Sequence, residues 1–248
     1  AFELETFTEL WRTSGGRTHY RVDADYRERK SVARPTATWS AGLFAMAARQ
    51  LELVNGPRLD SRSLLPEFAL FNCYSCHRSM RLQHWQDKGA ATAGSGSPEF
   101  NGSSLAMLEA LLAAQRSAAA AEELRQSVRT WQLAAGGERA QALAASSDLA
   151  RLLSVQRQEL DARPLSAAEA AAAFDYIARG AARGEYSEYA SAEQAAMSIV
   201  VLLAESGASW KRKPAVAELF AALNDDDHYD ATRFRQLLEQ LDQEKPVR

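Results

Sequence analysis

The stretch Ser166-Ala-Ala-Glu-Ala-Ala-Ala-Ala-Phe-Asp-Tyr-Ile-Ala-Arg179 decides the fold class. Ser166 followed three residues later by Glu169 has the pattern of a capping box, in which each side chain satisfies a backbone N–H group at the start of a helix. Alanine, the strongest helix former, fills most of the positions that follow, and Gly180 is placed to end the helix. The stretch therefore predicts an α-helix that ends near Arg179.

Similar signals occur along the rest of the chain, where apolar residues return at helical spacing and strand-like alternation is nearly absent. A second capping-box pattern runs from Ser191 to Gln194 and predicts a helix that begins at Ala192. Residues 17–34 are expected to be polar and extended. Further helices are predicted at residues 1–11, 38–54, 67–72, 78–85, about 104–115, 118–134, one or two short ones within 138–160, 214–223 and 231–242.

The predicted fold class is all-α, with a haem-bearing helical N-terminal part over residues 1–95 packed with an antiparallel, bundle-like helical domain over residues 96–248. Apolar residues make up 46% and charged residues 25% of the chain, which is ordinary for a soluble globular protein. The net charge of −3 gives no support for nucleic-acid binding. No apolar run reaches the length of a transmembrane helix.

The chemistry of the chain is concentrated in Cys73-Tyr74-Ser75-Cys76-His77, which contains both of its cysteines. This is C-x-x-C-H, the sequence that attaches a c-type haem. Two thiols at this spacing can each bond one vinyl-derived carbon of the porphyrin, and the imidazole of His77 can bind the iron as the proximal ligand. The motif therefore predicts covalent haem c and iron as cofactor, with Cys73, Cys76 and His77 holding it and Tyr74 touching the ring edge.

Three other interpretations of the motif are open. A dithiol redox site is expected beside a βαβ pattern, which is absent from the sequence. Zinc would need four ligands, and Cys73, Cys76 and His84 supply three. The third interpretation is two buried cysteines with a histidine beside them by chance.

The second axial ligand decides between an electron carrier, whose iron is fully coordinated, and an open site that binds gases or peroxide. Met80 and His84 follow His77 on the same predicted helix and should lie on the proximal side of the haem. His228 sits in an acidic turn, where a solvated or capping role is expected. We assign the ligand to His19, which lies in a polar loop beside Tyr20. The other candidates are Met46, Met107 and Met197, which lie on apolar helix faces.

Several segments resemble the C-terminal section of periplasmic multihaem c-type cytochromes, the tetrahaem and related electron carriers akin to those of ammonia oxidation. They are Phe2–Leu10, Thr18-His19-Tyr20, the predicted helix Trp39–Leu53, Pro66–Met80, His84-Trp85-Gln86 and the tail Tyr229–Arg235. The resemblance implies electron transfer between closely packed bis-histidine or open-site haems. This chain departs from that family by carrying one motif, so His19 could serve a haem on another chain.

We therefore expect a monohaem cytochrome that transfers electrons to other redox proteins or haem-bearing chains. Because covalent haem attachment normally takes place outside the cytoplasm, we expect a periplasmic, exported chain whose signal peptide has been removed. Two alternatives are an open-site haem enzyme or gas sensor, with peroxidase-like chemistry, and a helical scaffold that binds a partner and holds a structural haem.

Overall fold

The computed structural model describes residues 23–30, 34–56, 70–72, 99–160, 163–207, 214–225 and 228–243. Within these ranges the protein is all-α, as the sequence predicts, and the only β-type pairing is an isolated antiparallel bridge between Phe71 and Phe100. The helices are α1 (Ala24–Arg29), α2 (Pro35–Asn55), α3 (Ser103–Gln115), α4 (Ala118–Ala134), α5 (Arg139–Glu159), α6 (Ala167–Ala182), α7 (Tyr189–Glu205), α8 (Pro214–Ala221) and α9 (Ala231–Gln243).

Helix α3 lies at the centre of the fold, in contact with α2, α4, α6 and α7. Its residues are buried on every side, including the polar Ser104 and Glu109. The sequence predicts that this helix has a single apolar face made of leucines. Because neighbouring helices surround it, polar residues outside that face are buried as well. Helix α3 is therefore the element on which α2, α4, α6 and α7 pack.

Helix α7 is the second central element, and residues 194–203 are buried without interruption. Helix α2 packs against it, where Trp39 Nε1 donates a hydrogen bond to Ser198 Oγ at 2.9 Å. Thr36 of α2 makes two further hydrogen bonds. Its hydroxyl donates to Glu205 Oε2 of α7 at 3.1 Å and accepts from the backbone N–H of Leu165, just before α6. Helix α2, which precedes the C-x-x-C-H motif in the sequence, thus shares a core with the C-terminal helices. The predicted domain boundary at residue 95 lies outside the described residues.

The capping box that opens α6 is present as predicted. Ser166 Oγ accepts from the backbone N–H of Glu169 at 3.2 Å, and Glu169 Oε2 accepts from the backbone N–H of Ser166 at 2.8 Å. The guanidinium of Arg163 also contacts both carboxylate oxygens of Glu169, at 2.8 and 2.7 Å. The hydrogen bonds from Arg163 lower the pKa of Glu169 to about 2.

Four sequence predictions need correction. The helix predicted over residues 67–72 does not extend to its described end, because Phe71 forms an isolated antiparallel bridge with Phe100. Helix α7 begins at Tyr189, with Glu188 as its N-cap residue, so the pattern that starts at Ser191 lies inside the helix. Within the stretch expected to be extended, Asp23 accepts a hydrogen bond from Tyr26 N and opens the short helix α1. Residues 139–159 form one helix, α5.

None of the helices in the described ranges combines the length and the apolar character needed to cross a membrane.

Candidate haem-attachment site

The predicted haem-binding residues Cys73, Tyr74, Cys76 and His77, and the predicted distal ligand His19, lie outside the described residues. The structure does describe the residues on both sides of the motif-bearing segment, residues 73–98. These flanking residues are 70–72 and 99–102, and their contacts define how the segment is attached to the helical core.

Residues 70–72, which lead into the motif, are fixed by three contacts. Leu70 is buried, and its carbonyl accepts a hydrogen bond from Gln50 Nε2 on α2 at 3.0 Å. Asn72, the residue directly before Cys73, donates its backbone N–H to the carbonyl of Glu99 at 2.7 Å. The side chain of Asn72 donates to Glu188 Oε2, the buried N-cap residue of α7, at 3.3 Å. The chain therefore enters the motif from a position fixed against α2 and α7.

Phe100, at the far end of the segment, is held by the side chain of Gln132 on α4. The backbone N–H of Phe100 donates to Gln132 Oε1 at 2.9 Å, and Gln132 Nε2 donates to the carbonyl of Phe100 at 2.8 Å. The side-chain amide thus pairs with both backbone groups of Phe100, as a neighbouring strand would. The two ends of the segment are therefore joined to each other and to α4.

A column of three aromatic rings strengthens this junction. The rings of Phe71 and Phe100 stack with centroids 5.1 Å apart, and those of Phe100 and Trp131 with centroids 4.7 Å apart. Phe100 and Trp131 are buried. Stacked pairs of this kind contribute about 1 kcal/mol beyond the area they bury. The column runs from the partly exposed Phe71, two residues before Cys73, into the core beside α3.

The described candidates for the second axial position are spread over the fold. Met107 is completely buried in α3 and Met197 is nearly so in α7, whereas Met46 is partly exposed on α2. His228 is 83% exposed, and its Nδ1 lies 2.7 Å from Asp225 Oδ2. This places His228 in the solvated turn that the sequence indicates. The remaining candidates, Met80 and His84, lie outside the described residues, as His19 does.

The sequence also offers six aromatic residues as apolar walls for a porphyrin: Trp39, Phe44, Phe68, Phe71, Tyr74 and Trp85. Of these, Phe71 borders the motif-bearing segment and stacks on Phe100. Trp39 and Phe44 lie in the core along α2, where any helical protein would place such residues. Phe68, Tyr74 and Trp85 lie outside the described residues. Two further aromatic residues of this junction, Phe100 and Trp131, were missed because no local sequence pattern connects them to Cys73.

A separate polar cluster surrounds Glu109 of α3. Tyr176 of α6 donates its hydroxyl to Glu109 Oε2 at 3.2 Å, and Arg125 Nε of α4 lies 3.7 Å from the same oxygen. Burial raises the pKa of Glu109 to about 8, with Glu185 adding to the shift and the Arg125 guanidinium opposing it. The charge of Arg125 does not offset the effect of burial on this pKa, because Arg125 is partly exposed and also pairs with Glu122.

Among the described residues, no group of three or more histidine, cysteine, aspartate or glutamate side chains is arranged to hold a metal ion. No protein-family model, no curated protein and no solved structure matches this chain.

Proposed function

We propose that this protein is a periplasmic c-type cytochrome that carries one covalent haem and transfers electrons. The observation that carries the proposal is the motif Cys73-Tyr74-Ser75-Cys76-His77. Its donor set fits haem c, because two thiols can form the thioether bonds and one imidazole can bind the iron. The resemblance to multihaem c-type cytochromes supports the same class, with this chain as a monohaem relative.

The contacts on either side of the motif suit this role. Cys73 directly follows Asn72, whose backbone N–H donates to the carbonyl of Glu99 and whose side chain donates to Glu188, the N-cap residue of α7. A cofactor attached through Cys73 would thus be tethered one residue from a fixed point. Holding ligand-bearing segments on rigid elements keeps the coordination geometry constant, which suits an iron that changes only its oxidation state.

The haem, when bound, supplies the redox-active iron. The protein contributes the two thiols, the proximal imidazole of His77 and, in our assignment, a second imidazole from His19. Two imidazole ligands leave no position for an exogenous molecule, which favours electron transfer over peroxide or gas chemistry. The partners would be other redox proteins or haem-bearing chains.

Absorption spectra of the purified holoprotein test this function. We expect a low-spin haem in both oxidation states and no change when carbon monoxide is added to the reduced protein. A high-spin ferric spectrum, or ready binding of carbon monoxide, would instead indicate an open-site enzyme or gas sensor.

A further inference from the structure

Within the described part of the chain, the side chain of Gln132 connects α4 to the backbone of Phe100, just after the motif-bearing segment. Both of its polar atoms are used, one as acceptor from Phe100 N at 2.9 Å and one as donor to Phe100 O at 2.8 Å. An amide side chain is suited to this task because it carries a donor and an acceptor side by side.

The neighbouring residue Gly102 provides the space that this arrangement needs. A Cβ atom at position 102 would lie only 2.9 Å from Gln132 Nε2. The backbone of Gly102 has φ −105°, which residues with side chains adopt readily, so the conformation itself does not require glycine. The absence of a side chain at position 102 leaves room for the Gln132 amide, which a Cβ atom there would displace.

The hydrogen bonds connect Gln132 to the motif through few steps. Gln132 fixes Phe100, the adjacent carbonyl of Glu99 accepts the N–H of Asn72, and Asn72 precedes Cys73. Trp131, the residue before Gln132, stacks on the ring of Phe100 and fixes its side chain as well. Two consecutive residues of α4 thus hold the backbone and the ring of one residue.

We propose that Gln132 is a positioning residue for the haem: by pairing with Phe100 it fixes, through Glu99 and Asn72, the point at which the chain enters the motif that would carry the cofactor. This inference rests on the proposed function. It adds that the haem environment depends on a side chain of α4, far from the motif in sequence.

The test compares Gln132→Ala and Gln132→Glu with the matched control Gln126→Ala. Gln126 lies on the same helix, and its side chain pairs only with the exposed Glu122, at 3.0 Å. Glutamate at position 132 keeps the shape of the side chain and the oxygen that accepts from Phe100 N. It has no N–H group to donate to the Phe100 carbonyl. Gly102→Ala provides an independent variant, because it displaces the Gln132 amide without changing that residue.

Two measurements are made on each variant. The first is hydrogen exchange of the backbone amides of Asn72 and Phe100 in the purified protein. Loss of a hydrogen bond worth about 1 kcal/mol should speed exchange of the Phe100 amide by roughly five- to tenfold in Gln132→Ala and Gly102→Ala. Exchange of the Asn72 amide, which donates to the adjacent Glu99 carbonyl, should rise with it. The second is the midpoint potential of the holoprotein, together with carbon monoxide binding by its reduced form.

We expect the Gln132 and Gly102 variants to shift the midpoint potential, or to bind carbon monoxide, while circular dichroism stays unchanged and Gln126→Ala behaves as the parent protein. Potentials and carbon monoxide responses identical to those of Gln126→Ala would overturn the inference and leave the proposed function intact. Failure of the parent protein to attach haem would overturn the proposed function. In that case the amide exchange rates still report whether Gln132 fixes these residues.

Discussion

The backbone N–H of Asn72 lies 2.7 Å from the carbonyl oxygen of Glu99, so the two ends of the segment that contains the C-x-x-C-H motif are in direct contact. The contact lies beside the stacked rings of Phe71 and Phe100. A cofactor bound at Cys73 would therefore be attached beside a junction that Gln50, Glu188 and Gln132 hold against α2, α7 and α4.

The assignment of His19 as the second axial ligand leads to a spectroscopic prediction. Replacing it in His19→Ala should turn the ferric haem toward high spin and allow the reduced protein to bind carbon monoxide, because one iron position is then open. The measurement is the absorption spectrum of each oxidation state. His228→Ala is the control, since that histidine is exposed and paired with Asp225. An unchanged low-spin spectrum in His19→Ala would move the ligand assignment to a methionine, with Met46, Met107 and Met197 as the candidates.

The buried carboxyl group of Glu109 should make stability depend on pH. Its pKa is near 4.5 in the unfolded chain and is raised to about 8 in the folded protein. Between these values the folded state binds the proton more tightly, so stability falls as the pH rises from 4.5 to 8. The effect is on the order of a few kcal/mol, and Tyr176, Arg125, Glu122 and Glu185 are the charged or titratable groups around it.

Glu109→Gln should remove this pH dependence. Urea unfolding at pH 5 and at pH 8.5 should show that the variant resembles the parent protein at the lower pH and is more stable than it at the higher pH. Glu239→Gln is a suitable control, because this exposed residue of α9 is not among the groups that shift the pKa of Glu109. The same loss of stability with rising pH in Glu109→Gln and in the parent would contradict the prediction.

The capping box of α6 should contribute measurably to stability. Ser166→Ala removes the hydroxyl that accepts from Glu169 N and should lower the free energy of unfolding by about 1 kcal/mol. Ser147→Ala provides the comparison, since that exposed hydroxyl only donates back to the Leu143 carbonyl within α5. Equal unfolding free energies for the two variants, from urea titrations, would show that the box contributes nothing.

The helical fold was predictable because its signals are local. The Ser166–Glu169 box acts within one helical turn. So does Asp230 at the start of α9, whose carboxylate accepts from Thr232 N and Arg233 N. The start of α7 was placed wrongly because a serine–glutamine pattern competes with tertiary packing, which buries Gln194 and starts the helix earlier.

The surroundings of the motif were only partly predictable. The roles of Cys73, Cys76 and His77 are predicted from their spacing in the C-x-x-C-H motif, which requires no knowledge of the fold. Gln132 and Phe100, by contrast, are 32 residues apart and meet only when α4 packs beside residue 100. No periodicity or spacing in the sequence reports such a contact, because it is selected by the shape of the assembled core.

The central claim is most directly tested by the intact mass of the protein produced in a host that matures c-type cytochromes. The account predicts the polypeptide mass plus one haem, with a haemochrome spectrum in pyridine. We expect Ser75→Ala to retain the haem, whereas Cys73→Ser with Cys76→Ser should lose covalent attachment. A parent protein with the mass of the bare polypeptide would contradict the account.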